Sequence, residues 1–180
     1  LGRLDEAVAT GKRATALAPN DIDAHYNLGL ALTGKGEWEQ AIRAYRRALQ
    51  LNPDNGLSWN NLGAALEKQG NPTEAEAAYA RAASLDPRHA EAQNNLGAIY
   101  SEQGRLEDAC LCFEEAISAS PDFIEPHFNL SSLKTYREGD PHLSYLERNL
   151  DKAANMPIQA RIRYWFALGK AREDIGRHDA

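Results

Sequence analysis

The stretch WNNLGAALEKQGNPTEAEAAYARAASLDP, from Trp59 to Pro87, decides the fold of this 180-residue chain. Its first half places apolar residues three and four apart and ends at Gly70, and its second half repeats Ala and Tyr at similar spacings. Both patterns are typical of short amphipathic helices. Asp86 closes the second helix, because the residue before a proline is pushed out of the helical region. The stretch therefore predicts two helices joined by a tight turn.

The same pattern recurs every 34 residues, which indicates an internal repeat. Four columns share this period: a turn glycine, an alanine of the second helix, a closing proline and a leucine of the first helix. Their members are Gly2, Gly36, Gly70 and Gly104; Ala7, Ala41, Ala75 and Ala109; Pro19, Pro53, Pro87 and Pro121; Leu28, Leu62, Leu96 and Leu130.

Composition favours an all-α fold. The chain has 43% hydrophobic and 26% charged residues, with 13 Gly and 8 Pro placed mainly at turns.

Gly63 after Leu62 offers a position without a side chain, so that a neighbouring helix can come close to the backbone. Gly70 suits the left-handed turn that ends a helix.

In the columns Trp59-x-x-Leu62-Gly63, Ala75-x-x-x-Tyr79 and Pro87 the chain resembles the tetratricopeptide repeat (TPR) family. The resemblance implies helix-turn-helix units stacked into a solenoid, a right-handed superhelix with a concave groove. We predict a single array that begins with the second helix of a truncated repeat. Its segments are 1–21 (that helix), 22–55, 56–89 and 90–123 (full repeats), 124–157 (a degenerate repeat) and 162–180 (the first helix of a further repeat).

The degenerate repeat keeps its helices while it loses the motif. Asp140 before Pro141 predicts a helix start, Met156-Pro157 predicts a helix end, and the spacing predicts an insertion at about 155–161. The stretches 139–147 and 166–177 are similar to the segment that joins repeats to the catalytic domain in bacterial TPR–sulfotransferase fusions. That resemblance implies a transferase domain elsewhere, because no Gly-rich phosphate-binding loop occurs in these 180 residues. The chain also begins without Met, and we expect it to be a piece of a longer protein.

An asparagine precedes each Leu-Gly or Leu-Ser pair and suggests a binding site. An amide can accept from an N–H and donate to a carbonyl, as an extended peptide backbone requires. This ladder resembles the one in the repeats of O-linked N-acetylglucosamine transferase, which holds extended peptides. The alternative is that asparagine is common in this column of the family and is merely solvated. The predicted peptide-binding residues are Asn27, Asn61, Asn95 and Asn129, flanked by Tyr26, Asn60, Asn94 and Phe128, with Tyr136 further along.

Charge narrows the class of partner. The chain carries a net charge of −6, and acidic residues predominate near the predicted groove, so we expect a neutral or basic extended segment. The acidic residues are Asp23, Glu67, Glu91, Glu102 and Glu125, opposed by Lys68.

Other functions find little support in the sequence. We interpret the basic cluster Arg43, Arg46 and Arg47 as a solvated helix face, on which Glu39 pairs with Arg43. We therefore expect no nucleic-acid binding. No apolar run is long enough for a membrane span. The five histidines lack metal-binding spacings, and we expect no metal, no cofactor and no catalysis in this chain. The histidines are His25, His89, His127, His142 and His178.

Two further expectations concern location and assembly. Cys110 and Cys112 read as unpaired, partly buried thiols, which fits a reducing, cytoplasmic compartment. The first helix would lack a partner, leaving Leu4, Val8 and Leu17 partly uncovered, which favours self-association. Two functions remain open: an interaction scaffold, and the substrate-recruiting part of a larger sulfotransferase or glycosyltransferase.

Overall fold

The structure, a computed structural model, describes residues 2–176. Every regular element in this range is an α-helix. The helices are α1 Gly2–Leu17, α2 Ile22–Gly34, α3 Trp38–Leu51, α4 Gly56–Gln69, α5 Pro72–Leu85, α6 Ala90–Glu102, α7 Leu106–Ala119, α8 Ile124–Leu133, α9 Pro141–Arg148, α10 Leu150–Ala154 and α11 Ile158–Asp174.

Two compact units make up the chain, with the boundary between Ala92 and Gln93, inside α6. In unit 1, α2 packs on α3 and α4 on α5, while α1 packs on α2 and α3 on α4. In unit 2, α8 packs on α7 and α11, and α9 and α10 also contact α11. No helix between residues 2 and 176 is both long and apolar enough to cross a lipid bilayer.

Glycines end the first helix of each repeat, as the sequence predicts. Gly36, Gly70 and Gly104 have φ angles of 74°, 87° and 77°. Gly139 and Gly176 also have positive φ, at 79° and 73°. This left-handed conformation is strained for residues with a Cβ, which explains the column of glycines.

The glycine after each leucine makes room for an aromatic ring of the next helix, which confirms the predicted close approach. A Cβ added there would lie only 2.4 to 2.7 Å from the nearest ring atom. The pairs are Gly29 with Tyr45, Gly63 with Tyr79, and Gly97 with Phe113.

The degenerate repeat differs from the others in its second half. Asp140 caps α9 as predicted, with its carboxylate accepting from the backbone N–H groups of His142 and Leu143. The helix is interrupted at Asn149, between α9 and α10. The following helix begins at Ile158, four residues before the repeat boundary predicted at 162, because Pro157 takes an extended ψ of 148° at its N-cap. Residues 177–180, including His178, lie outside the described residues.

Candidate peptide-binding face

The predicted asparagines all lie on the first helix of their repeat. Asn27 and Asn61 lie on α2 and α4 of unit 1, and Asn95 and Asn129 lie on α6 and α8 of unit 2. Asn27 is exposed and the other three are half-buried. Each unit therefore carries two ladder amides that have at least part of their surface in contact with solvent.

In unit 1 the ladder amide of one repeat bonds to the neighbouring repeat. Asn61 Nδ2 donates to Tyr26 Oη at 3.0 Å, and the Tyr26 ring lies 6.1 Å from the ring of Tyr45. This bond uses one of the two N–H donors of Asn61. Among residues 2–176 its second N–H and its Oδ1 make no other hydrogen bond, so they are available to another chain.

Unit 2 repeats this arrangement with an asparagine in place of the tyrosine. Asn129 Nδ2 donates to Asn94 Oδ1 at 3.0 Å, across the same 35-residue separation as the bond in unit 1. Asn94 Nδ2 in turn lies 3.4 Å from Asn95 Oδ1. The ladder thus has a structural role between repeats that sequence reasoning missed.

The residues that flank the ladder asparagines differ in how accessible they are to a ligand. Asn60 and Asn94 are only 4% and 8% exposed, so they offer little contact surface. Phe128 is half-buried, and its ring lies 5.0 Å from that of Phe166, which is 50% exposed. Phe166 was not predicted for this face, because it belongs to a helix 38 residues further along the chain.

Two of the ladder amides line cavities. Asn27 lines a cavity of about 470 Å³ between α1 and α2, whose walls are mostly small residues. Asn129 lines a smaller one of about 210 Å³, together with Ser101, Glu102 and Phe113. These recesses place an amide beside space that another chain can enter.

Several of the predicted acidic residues are paired. Glu125 forms an ion pair with Arg163. Glu67 accepts from Tyr79 Oη at 3.1 Å and lies 3.6 Å from Lys68. These pairs make the face less acidic than the sequence suggests, and the other three predicted carboxylates, Asp23, Glu91 and Glu102, are exposed.

The structure corrects two placements. Tyr136, predicted to lie along the ladder, is 2% exposed and packs in the core of unit 2. Val8, predicted to be uncovered, is only 5% exposed, because α1 packs on α2. Leu17, in contrast, is 84% exposed.

Tyr136 belongs to a buried row of hydrogen bonds between α8 and α9. His127 Nε2 lies 2.9 Å from the Pro121 carbonyl, His127 Nδ1 lies 2.8 Å from His142 Nε2, and Tyr136 Oη lies 2.7 Å from His142 Nδ1. A carbonyl only accepts, so His127 Nε2 carries a hydrogen and Nδ1 of the neutral ring accepts from His142. His142 Nδ1 then accepts from the Tyr136 hydroxyl.

This row holds both histidines neutral. Burial lowers the pKa of His127. Burial, followed by the neighbouring His127 ring, lowers the pKa of His142 to about 3. The two residues are 15 positions apart across a loop, so helix periodicity gave no signal for their contact.

The remaining candidates have ordinary surroundings. Cys110 and Cys112 are unpaired and half-buried, and burial raises the pKa of Cys112 to about 11. Arg43 pairs with Glu39 as predicted, and Arg46 pairs with Glu74. Within residues 2–176, no three His, Cys, Asp or Glu side chains come together as metal ligands.

Solved structures with the same architecture share little sequence with this chain. MamA (residues 41 to the end) from Desulfovibrio magneticus RS-1 is 21% identical and has a TM-score of 0.68, with 99% of this chain and 89% of that chain covered. YrrB, described as "a TPR protein with an unusual peptide-binding site", is 23% identical with a TM-score of 0.66, covering 89% and 82%. PilF of Pseudomonas aeruginosa is 21% identical with a TM-score of 0.68, covering 94% and 69%. At these identities the likeness concerns the fold. A search of curated protein sequences finds no match.

Sequence profiles identify the family. A profile described as tetratricopeptide repeat matches residues 26–87 and 60–122, and one described as TPR repeat matches residues 1–34. The matches cover more than half of the chain and follow the columns that build the helix pairs. The chain belongs to the tetratricopeptide repeat family.

Proposed function

We propose that this chain is a non-catalytic interaction scaffold that holds an extended segment of a partner protein along the ladder asparagines. The observation that carries the proposal is the position of Asn27 in unit 1. Its amide is exposed and lines a cavity of about 470 Å³, and the next ladder residue, Asn61, keeps an N–H and its Oδ1 for a ligand. YrrB, which shares this architecture and is described as having a peptide-binding site, supports a peptide as the ligand class.

The ladder alone is too weak to give tight binding. The two ladder amides of unit 1 contribute about 0.5–1.5 kcal/mol each, or roughly 1–3 kcal/mol together, whereas micromolar binding requires about 8 kcal/mol. Apolar contacts have to supply the difference. In unit 2, the exposed ring of Phe166 beside Phe128 is suited to this role.

The partner segment is neutral or basic in this proposal, because exposed Asp23, Glu91 and Glu102 would repel a carboxylate-rich chain. The alternative, a substrate-recruiting region of a larger transferase, stays a prediction that concerns residues outside this chain. The cytoplasmic location also stays a prediction.

A peptide array followed by calorimetry tests the proposal. Asn27→Ala removes an exposed amide, and we expect it to weaken a bound peptide about 3- to 10-fold, the equivalent of one hydrogen bond. Asn61→Ala removes the amide together with its bond to Tyr26, whereas Tyr26→Phe removes only that bond. We expect Asn61→Ala to weaken binding more than Tyr26→Phe does.

The matched control deletes an amide elsewhere. Gln159→Ala removes an exposed carboxamide from α11, and we expect it to leave affinity unchanged. If Asn27→Ala and Asn61→Ala bind every array peptide as tightly as Gln159→Ala does, the ladder has no role in binding.

Self-association is a second proposal about partners. α11 exposes Ile158, Ile162 and Trp165 at 62%, 57% and 46%, with a spacing that places them on one side of the helix. Apolar stripes of this kind favour association. We expect sedimentation velocity to show a concentration-dependent dimer that Ile162→Glu abolishes; a monomer at all concentrations would contradict it.

A further inference from the structure

A second recess lies in unit 1, between α3 and α5, with α4 as its floor. It has a volume of about 460 Å³ and is separate from the asparagine ladder. We name it the α3–α5 groove. Its lining residues are Arg46, Leu49 and Gln50 of α3, Trp59, Leu62 and Leu66 of α4, and Glu74, Ala77, Ala78 and Arg81 of α5.

The floor of the α3–α5 groove is apolar and held in place by packing. Leu62, Leu66 and Ala78 are 4%, 2% and 2% exposed. The Trp59 indole is half-buried, and its Nε1 donates to the Pro53 carbonyl at 2.8 Å. This bond fixes the ring, so the apolar surface is formed before any ligand arrives.

The repeat supplies an internal comparison. A groove between α1 and α3, one repeat upstream, is lined by residues 34 positions earlier, yet its volume is only about 270 Å³. In this upstream groove a threonine, a histidine and an arginine occupy the places of a leucine, a tryptophan and an alanine. The exchanges are Thr15 for Leu49, His25 for Trp59, and Arg43 for Ala77. The downstream groove is thus the larger one and has apolar side chains at these three places.

A cationic side chain stands on each wall of the α3–α5 groove. Arg46 of α3 pairs at 2.6 Å with Glu74 of α5, so this ion pair joins the two walls, and Arg81 of α5 pairs with Asp54 at 3.0 Å. The arginine side chains are 51% and 46% exposed. A helix docked between the walls has to displace the Arg46–Glu74 pair. Exposed ion pairs contribute little to stability, so carboxylates of a ligand can take the places of Glu74 and Asp54.

We propose that the α3–α5 groove docks an amphipathic α-helix of a partner protein, with apolar side chains facing Trp59 and acidic side chains facing Arg46 and Arg81. The two walls are helices of 14 residues, about 21 Å long. A channel between two helices with an apolar floor accepts a third helix through residues at i, i+3 or i+4, and i+7. The paired guanidinium groups, one on each wall, select acidic flanks on that helix. This site is distinct from the ladder, which the preceding proposal assigns to an extended segment.

Tryptophan fluorescence tests this proposal directly. The chain has three tryptophans, so the Trp38→Phe, Trp165→Phe variant leaves Trp59 as the sole reporter. The probe is a synthetic 18-residue Ala-based helix with Leu at i, i+4, i+7 and i+11 and Glu at the flanking positions. A second peptide carries Lys in place of every Glu. We expect the Glu peptide to shift the Trp59 emission to the blue, and the Lys peptide to bind at least about 10-fold more weakly.

Two sets of variants locate the site. Ala77→Arg introduces into the α3–α5 groove the arginine that occupies this position in the upstream groove. We expect this change to weaken binding of the Glu peptide at least about 10-fold. Leu111→Arg adds the same residue at the corresponding position of α7, where Leu111 is 61% exposed, and we expect unchanged affinity. Arg46→Gln with Arg81→Gln changes only exposed side chains and we expect it to abolish the preference for Glu over Lys.

Several outcomes would overturn the proposal. Equal affinity for the Glu and Lys peptides, equal affinity of Ala77→Arg and Leu111→Arg, or no change in Trp59 emission would each do so. A medium-chain fatty acid that shifts Trp59 emission while the Glu peptide does not would assign the groove to a small ligand instead. A dimer that Ala77→Arg dissociates, without peptide binding, would assign it to a second copy of the chain.

Discussion

Glycines that follow leucine in the repeat differ in what lies beside them. A Cβ at Gly63 would lie 2.7 Å from the Tyr79 ring, whereas a Cβ at Gly169 would have no described atom within 4 Å apart from its chain neighbours and its own helix backbone. The same substitution should therefore have opposite effects. We expect Gly63→Ala to lower the free energy of unfolding by about 1–3 kcal/mol through overpacking. We expect Gly169→Ala to raise it by about 0.5–1 kcal/mol, because alanine favours the helix.

Urea denaturation followed by circular dichroism measures both changes. The two variants add one methyl group each to the middle of a helix, so they control for each other. Equal destabilisation of both would contradict the assigned contact between Gly63 and Tyr79.

Ser58 is a second residue whose replacement should change the stability of the fold in a definite direction. Its Oγ is buried and has no hydrogen-bond partner within residues 2–176, and the residue is 0% exposed. Other repeats carry alanine in this column, at Ala24 and Ala92. A buried unpaired hydroxyl costs about 1–3 kcal/mol. We expect Ser58→Ala to raise the midpoint of thermal unfolding, and a lower midpoint would show that the hydroxyl is needed.

At the scale of helices, the His127–His142 row makes the α8–α9 region sensitive to acid. Unfolded histidine has a pKa of about 6.5, and burial holds the pKa of His142 at about 3 and lowers that of His127. The unfolded chain therefore binds more protons between those values, and stability falls as the pH falls below about 6.5. From pH 7.5 to pH 5, His142 alone should remove about 2 kcal/mol.

Chemical denaturation at several pH values measures this loss. His142→Asn removes a titrating group, and we expect a flatter dependence on pH. Tyr136→Phe removes the hydroxyl bond to His142 but keeps both imidazoles, so we expect lower stability with the slope retained. If the stability of His142→Asn depends on pH as steeply as that of the wild type, the acid sensitivity does not come from His142.

Most of the helices could be predicted from the sequence, because their determinants are local. The positive φ of Gly70 and the packing of Gly63 on Tyr79 follow from columns spaced by 34 residues. Contacts between repeats were harder to predict. The bond from Asn61 to Tyr26 joins residues 35 positions apart, and the start of α11 depends on Pro157 rather than on the repeat period.

The candidate site could be predicted only as a column of residues. Periodicity placed Asn27 and Asn61 on equivalent helices, but it did not reveal that the Asn61 amide is shared with Tyr26. It also treated Tyr136 as a surface residue, because the loop after α8 breaks the repeat that the prediction used. Burial in that region depends on α9 and α11, whose sequences depart from the motif.

At the scale of the whole molecule, the two proposals for unit 1 assign different ligands to different side chains, although both sets include residues of α4. The ladder lies on α2 and α4, and the α3–α5 groove lies over Trp59. The first takes an extended segment through amide contacts, and the second takes a helix through apolar ones. A single spectrum can observe both, because side-chain amides and the indole N–H give separate NMR signals.

The most direct test of the central claim is a ¹⁵N NMR titration with a neutral or basic peptide selected from the array. We predict that the side-chain NH₂ signals of Asn27 and Asn61 shift progressively with the added peptide, while the indole signal of Trp59 stays in place. If the peptide binds and both asparagine signals remain unchanged, the ladder is not the binding site.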